Sequence, residues 1–336
     1  MKRLLFSGGG TRCILFAQAL PLLEAAGHLK NIREYWGTSA GAFFALLLAV
    51  GATPTTVQPM IVSTRFQNFR DIDLHNLFAF QTAWGLDDGA ALLGELERVL
   101  QTVGVSKDVL LRDVPGLHVV VADITTRETL VLSGKTHPHV RAADAVRASM
   151  SLPLFYRPYK DPHSGHWWVD GGLRANFAWD LLPSDEEREQ TIGMCLVPYD
   201  VNRVDTLTQY MISMVHFDEP RKLNEWKERW QHRVLWFPPP PFPPWYFKID
   251  AEDVALMQEI ASTVATEWLA RLPTRSASET GEIPPSSGPP NTRPSPPHPP
   301  SAAESSGSPI SSASPRPECP SLQSSQSRPS YRRWSV

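Results

Sequence analysis

Apolar positions along this chain fall into short unbroken runs and longer periodic ones. Runs bounded by glycine or polar residues read as buried strands, and apolar residues spaced three and four apart read as helices facing a core. Residues 2–6, KRLLF, form the first such strand. They lead through Gly8-Gly9-Gly10 into a helix with Ile14, Leu15, Ala19, Leu22 and Leu23 at helical spacing, ended by Gly27. EYW, residues 34–36, is a second strand, and 40–50 a second helix, apolar throughout and so buried. That helix falls far short of the about 20 apolar residues needed to span a bilayer. Strand, loop, helix, strand, turn, helix within fifty residues predicts an α/β fold with a parallel sheet covered by helices.

Helices follow at 54–63 and 90–103, the second with Leu92, Leu96, Val99 and Val103 on one face and Gly104 as its stop. LHVVVADI (117–124) and ETLVLS (128–133) read as a hairpin or as paired strands, and HWWVD (166–170) and TIGMCLV (191–197) as buried strands. A last helix spans 251–272, with Asp250 as N-cap and Pro273 as stop. Between these lies VLWFPPPPFPPWYFKI, residues 234–249. Its prolines cannot donate to a sheet ladder, which excludes a central strand. Its aromatics, Phe242 and Trp245 among them, either cover the core or meet a lipid surface, where Trp and Tyr favour the headgroup boundary. No internal repeat is present.

Composition adds a boundary. The 336 residues are 42% hydrophobic with 11 tryptophans, enough to bury a sizeable core. From Pro273 onward, 15 of the 32 prolines fall among serines, while aromatic and β-branched residues nearly vanish. Such a segment cannot offset its ordering entropy, so the expected division is a folded domain over 1–273 and a disordered Pro/Ser-rich tail over 274–336, open to partner proteins of unknown kind. A formal net charge of −3 without a basic stripe gives no argument for nucleic acid binding. Cys13, Cys195 and Cys319 are odd in number and widely spaced, which suggests neither a disulfide framework nor a metal knuckle. The apolar run after MKR stops at Phe6, too short for a signal peptide. The expected place is the cytoplasm.

The chemistry starts at Gly37-Thr38-Ser39-Ala40-Gly41, a G-x-S-x-G pattern between a strand and a helix. Small residues there permit a sharp turn that projects the serine oxygen, a nucleophile elbow. A serine hydroxyl needs a base. His216 and His232 follow in the order a Ser-Asp-His triad would require, yet both sit in charged, amphipathic surroundings. Asp170, at the end of the strand HWWV and before Gly171-Gly172, is an alternative base, although Asp-Gly is equally a hairpin turn. Gly8-Gly9-Gly10 can present backbone N–H groups to an anion. GGGTRC lacks the third glycine of a dinucleotide fingerprint. The reading that uses both motifs is an oxyanion hole for Ser39, formed by Gly8, Gly9, Gly10 and Thr11, with Arg12 lending positive charge.

SGGGTRC, GTSAG about 30 residues later, VADITTRETLVLS, AVRASMSLPLFYRPY and VDGGLRANFA, in that order over residues 1–200, resemble the patatin-like phospholipases. The resemblance implies a three-layer α/β/α fold with a mainly parallel sheet. It further implies a Ser39–Asp170 dyad without histidine, the glycine loop as oxyanion hole, and lipid acyl esters as substrates. No metal or cofactor is required in such enzymes. Phospholipid or neutral lipid would be met peripherally, on a membrane or lipid-droplet surface. One departure is Cys13, where the family's glycine motif usually ends in glycine. Cysteine suffices there if only a small side chain is needed, whereas a need for backbone freedom would distort the loop. Two other functions stay in view: an inactive lipid-binding or scaffold protein on the same fold, and a serine esterase for non-lipid esters.

Overall fold

The computed structural model describes residues 1–69, 82, 84–198, 219–242 and 246–272. The expectations for His216, Trp245, Pro273, Cys319 and the tail over 274–336 lie outside the described residues. In the first half, β1 (Arg3–Phe6) runs through a 3-10 turn (Gly10–Cys13) into α1 (Ile14–Ala25), and β2 (Glu34–Thr38) runs into α2 (Ala40–Ala49). Then come α3 (Pro54–Val62), β3 (Gly85–Asp87), α4 (Ala90–Thr102), β4 (Leu117–Asp123), β5 (Glu128–Ser133) and α5 (Ala142–Ser149). The remainder comprises β6 (Leu154–Tyr156), β7 (Tyr159–Lys160), β8 (Trp167–Asp170), α6 (Gly172–Ala175), α7 (Asp185–Glu189), β9 (Thr191–Leu196), α8 (Glu219–Trp230), β10 (Val234–Phe237) and α9 (Ala251–Arg271). No helix among the described residues is long and apolar enough to cross a membrane.

Strand alternation builds the three layers. Successive side chains on a strand point to opposite faces, and Leu4 and Phe6 join one apolar cluster while Leu5 joins another. Val119 and Val121 divide from Val120 in the same way, as do Met194 and Leu196 from Cys195. The first cluster is closed by α1, α2, α4, α5 and α9, and the second by Leu223, Trp226 and Trp230 of α8 with Phe177 and Trp179. Asp250 caps α9 as expected, accepting from the N–H groups of Glu252 and Asp253, while Asp253 returns a bond to Asp250 N–H. A reciprocal cap of this kind contributes about 1 kcal/mol.

The main sheet runs β10-β9-β1-β2-β4-β8-β7, with β5 beside β4. From β10 to β4 the pairings are parallel, and those of β4 with β5, β4 with β8 and β7 with β8 are antiparallel. The expected hairpin of residues 117–124 and 128–133 is thus β4–β5. β10 ends before the prolines and flanks β9 alone, as proline chemistry requires. One junction positions the chemistry. β5 occupies one edge of β4 from His118 to Asp123, so β2 and β8 share the other. β2 takes it up to the pair Thr38–Val120, and β8 takes it from Val121–Asp170 upward in the opposite direction. The C-terminal ends of β2 and β8 therefore meet over consecutive residues of β4.

Candidate active site

Where β2 passes into α2, Ser39 has φ 53° and ψ −129°, in the region that favours glycine. A non-glycine residue there costs of order 1–3 kcal/mol and persists only when its surroundings hold it. The flanking glycines serve close approach. A methyl on Gly37 would overlap the Gly41 carbonyl and the backbone of Ala42, and one on Gly41 would overlap the carbonyls of Ser7 and Phe6. Buried Thr38 donates through Oγ1 to the Ala175 carbonyl at 3.0 Å, fixing the end of β2, and Ala40 opens α2.

Ser39 Oγ donates to Asp170 Oδ2 at 2.7 Å. The aspartate is 4% exposed, and its Oδ1 accepts from Gly172 N–H at 2.7 Å. The sequence leaves Asp170-Gly171 open between a hairpin turn and a functional carboxylate. The chain does not turn back there but enters α6 at Gly172. Gly171 packs against the Val120 carbonyl with no room for a methyl. His232, by contrast, lies before the first residue of β10, at the opposite end of the parallel strands from Ser39, and its Nε2 meets Glu189 Oε1 at 3.0 Å.

The glycine loop divides its roles. Gly9, Gly10 and Thr11 line the same pocket as Ser39 and Asp170. Gly8 N–H donates to the Asn176 carbonyl at 3.0 Å, so this group is already occupied. Arg12 is buried, and its guanidinium donates to the carbonyls of Gly9 at 3.4 Å and Val197 at 3.2 Å. It ties the loop to the end of β9 and is not among the pocket walls, so besides carrying a positive charge it anchors the loop. Cys13 has φ −61° and ψ −9°, ordinary right-handed geometry, so that position makes no demand for glycine's backbone freedom. Burial raises its thiol pKa far above the usual range, with Arg12 opposing and Asp170 reinforcing the shift, so the thiol stays protonated.

A patatin-like phospholipase family model matches residues 4–183, more than half of the chain. This chain belongs to the patatin-like phospholipase family. Among solved structures, VipD from Legionella pneumophila is similar over 80% of this chain and 66% of its own, at 15% identity and a TM-score of 0.53, which shows a shared fold. ExoU from Pseudomonas aeruginosa, in complex with SpcU, aligns over 80% of this chain and 52% of its own, at 16% identity and a TM-score of 0.45. The chain thus spans two thirds or less of those proteins. Comparison with the curated proteins found no match.

The patatin-like pocket has a volume of about 140 Å³. Its walls include Phe43, Phe44, Ile61, Phe69, Leu152 and Phe155, and Phe247 stacks on Phe155 with ring centroids 6.3 Å apart. Its lining is mostly apolar, which suits hydrocarbon better than water. Three of its neighbours lie within quoted stretches of sequence that assign them no individual role. Asn176 lines the pocket from just beyond α6, Phe247 arrives from the proline-rich segment, and Ser149 Oγ accepts the backbone N–H of Ser39 at 2.8 Å. The sequence signals for them are weak: a serine closing a short helix, an asparagine after LRA, one aromatic among many.

Proposed function

We propose that this chain hydrolyses fatty acyl esters of phospholipid or neutral lipid through a Ser39–Asp170 dyad and an acyl-enzyme on Ser39. The observation that carries this reading is the 2.7 Å bond from Ser39 Oγ to Asp170 Oδ2 within an apolar pocket beside the glycine loop. In the proposed reaction the acyl chain occupies the phenylalanine-lined space and its ester carbonyl lies against Ser39. Oγ attacks the carbonyl carbon as its proton passes to Asp170 Oδ2. A carboxylate with a reference pKa near 3.9 is a weak base, so the transfer depends on preorganisation and on exclusion of water. The bond already formed at 2.7 Å supplies the first of these.

The tetrahedral oxyanion needs donors. The first N–H groups of a helix lack acceptors within it, and two helices start at this site. Gly9 and Gly10 open the 3-10 turn, and Ala40 opens α2. These are the proposed oxyanion donors, and the residue after a nucleophile elbow serine has the geometry for that role. Collapse of the intermediate breaks the ester bond, and the leaving alcohol takes the proton from Asp170. Water then attacks the acyl-enzyme by the same route and releases the fatty acid. The lipid is met at a surface, as a peripheral visitor.

The test is mass spectrometry of products from a mixed lipid extract incubated with the parent chain and with Ser39→Ala. Free fatty acids and the matching lysolipids or partial glycerides are expected from the parent alone, with both chains giving the same circular dichroism. Equal release by Ser39→Ala overturns the dyad. No release from any lipid, with hydrolysis of small soluble esters retained, turns the reading to a non-lipid esterase; no hydrolysis at all turns it to a lipid-binding protein.

A further inference from the structure

Ser39 holds a strained backbone conformation and its hydroxyl must meet a carboxylate carried by another strand, so something must fix both. The end of α5 does. Ser149, wholly buried, uses both faculties of its hydroxyl: Oγ accepts from Ser39 N–H at 2.8 Å and donates to the Val120 carbonyl at 2.6 Å. Thr38–Val120 is the last register pair between β2 and β4. Beyond it the strands part, and the Ser149 hydroxyl is inserted between a donor on β2's continuation and an acceptor on β4. It extends the ladder by one rung at the point where β2 bends into the elbow.

The same segment reaches the other half of the dyad. Two residues on, the Ser151 carbonyl accepts the backbone N–H of Asp170 at 2.9 Å. Ser151 is itself held, because its Oγ donates to the Arg147 carbonyl at 2.8 Å and accepts from the Arg147 guanidinium at 2.7 Å. Val120, the acceptor for Ser149, also packs directly against Gly171. Ser39 and Asp170 are 131 residues apart, and this one turn after α5 bonds to the backbone N–H of each.

We propose that Ser149 is a positioning residue of the dyad, whose hydroxyl holds the elbow so that Ser39 Oγ lies within hydrogen-bonding reach of Asp170. This rests on the dyad reading above. Ser149 touches neither acyl group nor oxyanion. It acts through the Ser39 backbone, and its removal should slow attack without weakening the hold on the acyl chain.

The experiment compares Ser149→Ala, Ser149→Thr and Ser133→Ala in the full chain, with Ser39→Ala as the reference for the dyad. Ser133, the last residue of β5, is another buried serine, hydrogen-bonded to Thr136 in the turn that follows, and serves as a control for loss of a buried hydroxyl away from the site. Well below all melting points, Ser149→Ala should lower kcat on a soluble short-chain ester, and the rate of fluorophosphonate labelling, by ten- to about a hundredfold, the scale of an ångström misplacement. KM should stay within about threefold, because uniform binding is untouched. Ser149→Thr, which keeps the hydroxyl, should recover most of the rate, and Ser133→Ala should match the parent in kcat whatever its melting temperature. The proposal is overturned if Ser149→Ala keeps parental kcat, if its loss lies in KM, or if Ser133→Ala loses as much at the same drop in melting temperature. Activity of Ser39→Ala would instead overturn the dyad itself, a separable result.

Discussion

Ser39 carries the one backbone strain that the proposed chemistry uses, and three side chains or carbonyls converge to keep it: Ser149 on its N–H, Asp170 on its hydroxyl, and the Thr38 hydroxyl bonded to Ala175 beside it. Asp170 in turn gives one oxygen to Gly172 N–H and the other to Ser39, which aims a single oxygen at the nucleophile. Asp170→Asn keeps this shape but cannot take the proton. Steady-state turnover on a soluble ester should fall by about 10²–10⁴, the share of a positioned general base, while His232→Ala should remain within twofold of the parent. A loss at His232 equal to that at Asp170 would replace the dyad by a histidine mechanism. The residues of the proposed dyad were legible because each sits in a local motif, G-x-S-x-G and V-D-G-G. Ser149 was not, because its meaning lies in a hydrogen bond across 110 positions of sequence. Arg12 was legible as a cation but not as an anchor, since the carbonyl it holds at Val197 is 185 residues away.

At the scale of elements, the site exists because β2 and β8 meet end to end along one edge of β4. Strands of four or more residues that carry a run of apolar side chains could be read from the chain, among them β1, β4, β5 and β9. β3, β6 and β7 could not, being two or three residues long and below the length at which alternation is visible. α8 went unread because EPRKLNEWKERW is mostly charged; its inward face is only Leu223, Trp226 and Trp230, at helical spacing. The proline-rich segment is the clearest case of two readings separated by structure. Phe237 and Phe242 are buried in the main core, and Phe247 lines the pocket beside Ser39, which favours covering the core over presenting aromatics to a membrane. Phe242→Ala should therefore cost about 3–5 kcal/mol of stability, the usual range for a core phenylalanine. Thermal unfolding should show it, with equal losses of activity on vesicles and on a soluble ester. An unchanged melting temperature with weaker vesicle binding would restore the surface role.

Across the whole molecule, the family match ends at residue 183, yet the described chain continues to build the same unit. β9 pairs with β1, β10 extends the edge, α9 packs on α1 and α8 covers the other face, so these later elements complete a sheet whose proposed catalytic end lies where β2 and β8 meet. The α/β class was legible from the opening fifty residues, because strand and helix periods alternate there without ambiguity. The antiparallel half was less so, since pairing direction depends on where loops return and not on the apolar pattern. The central claim is that this assembled sheet presents one activated serine. Its most direct test is to react the full-length chain with a fluorophosphonate, weigh the intact protein, and map the modified peptide. The account predicts a single adduct on Ser39, absent from Ser39→Ala and formed about a hundredfold more slowly in Asp170→Asn. A folded chain that takes no adduct, or takes it on another residue, would contradict it.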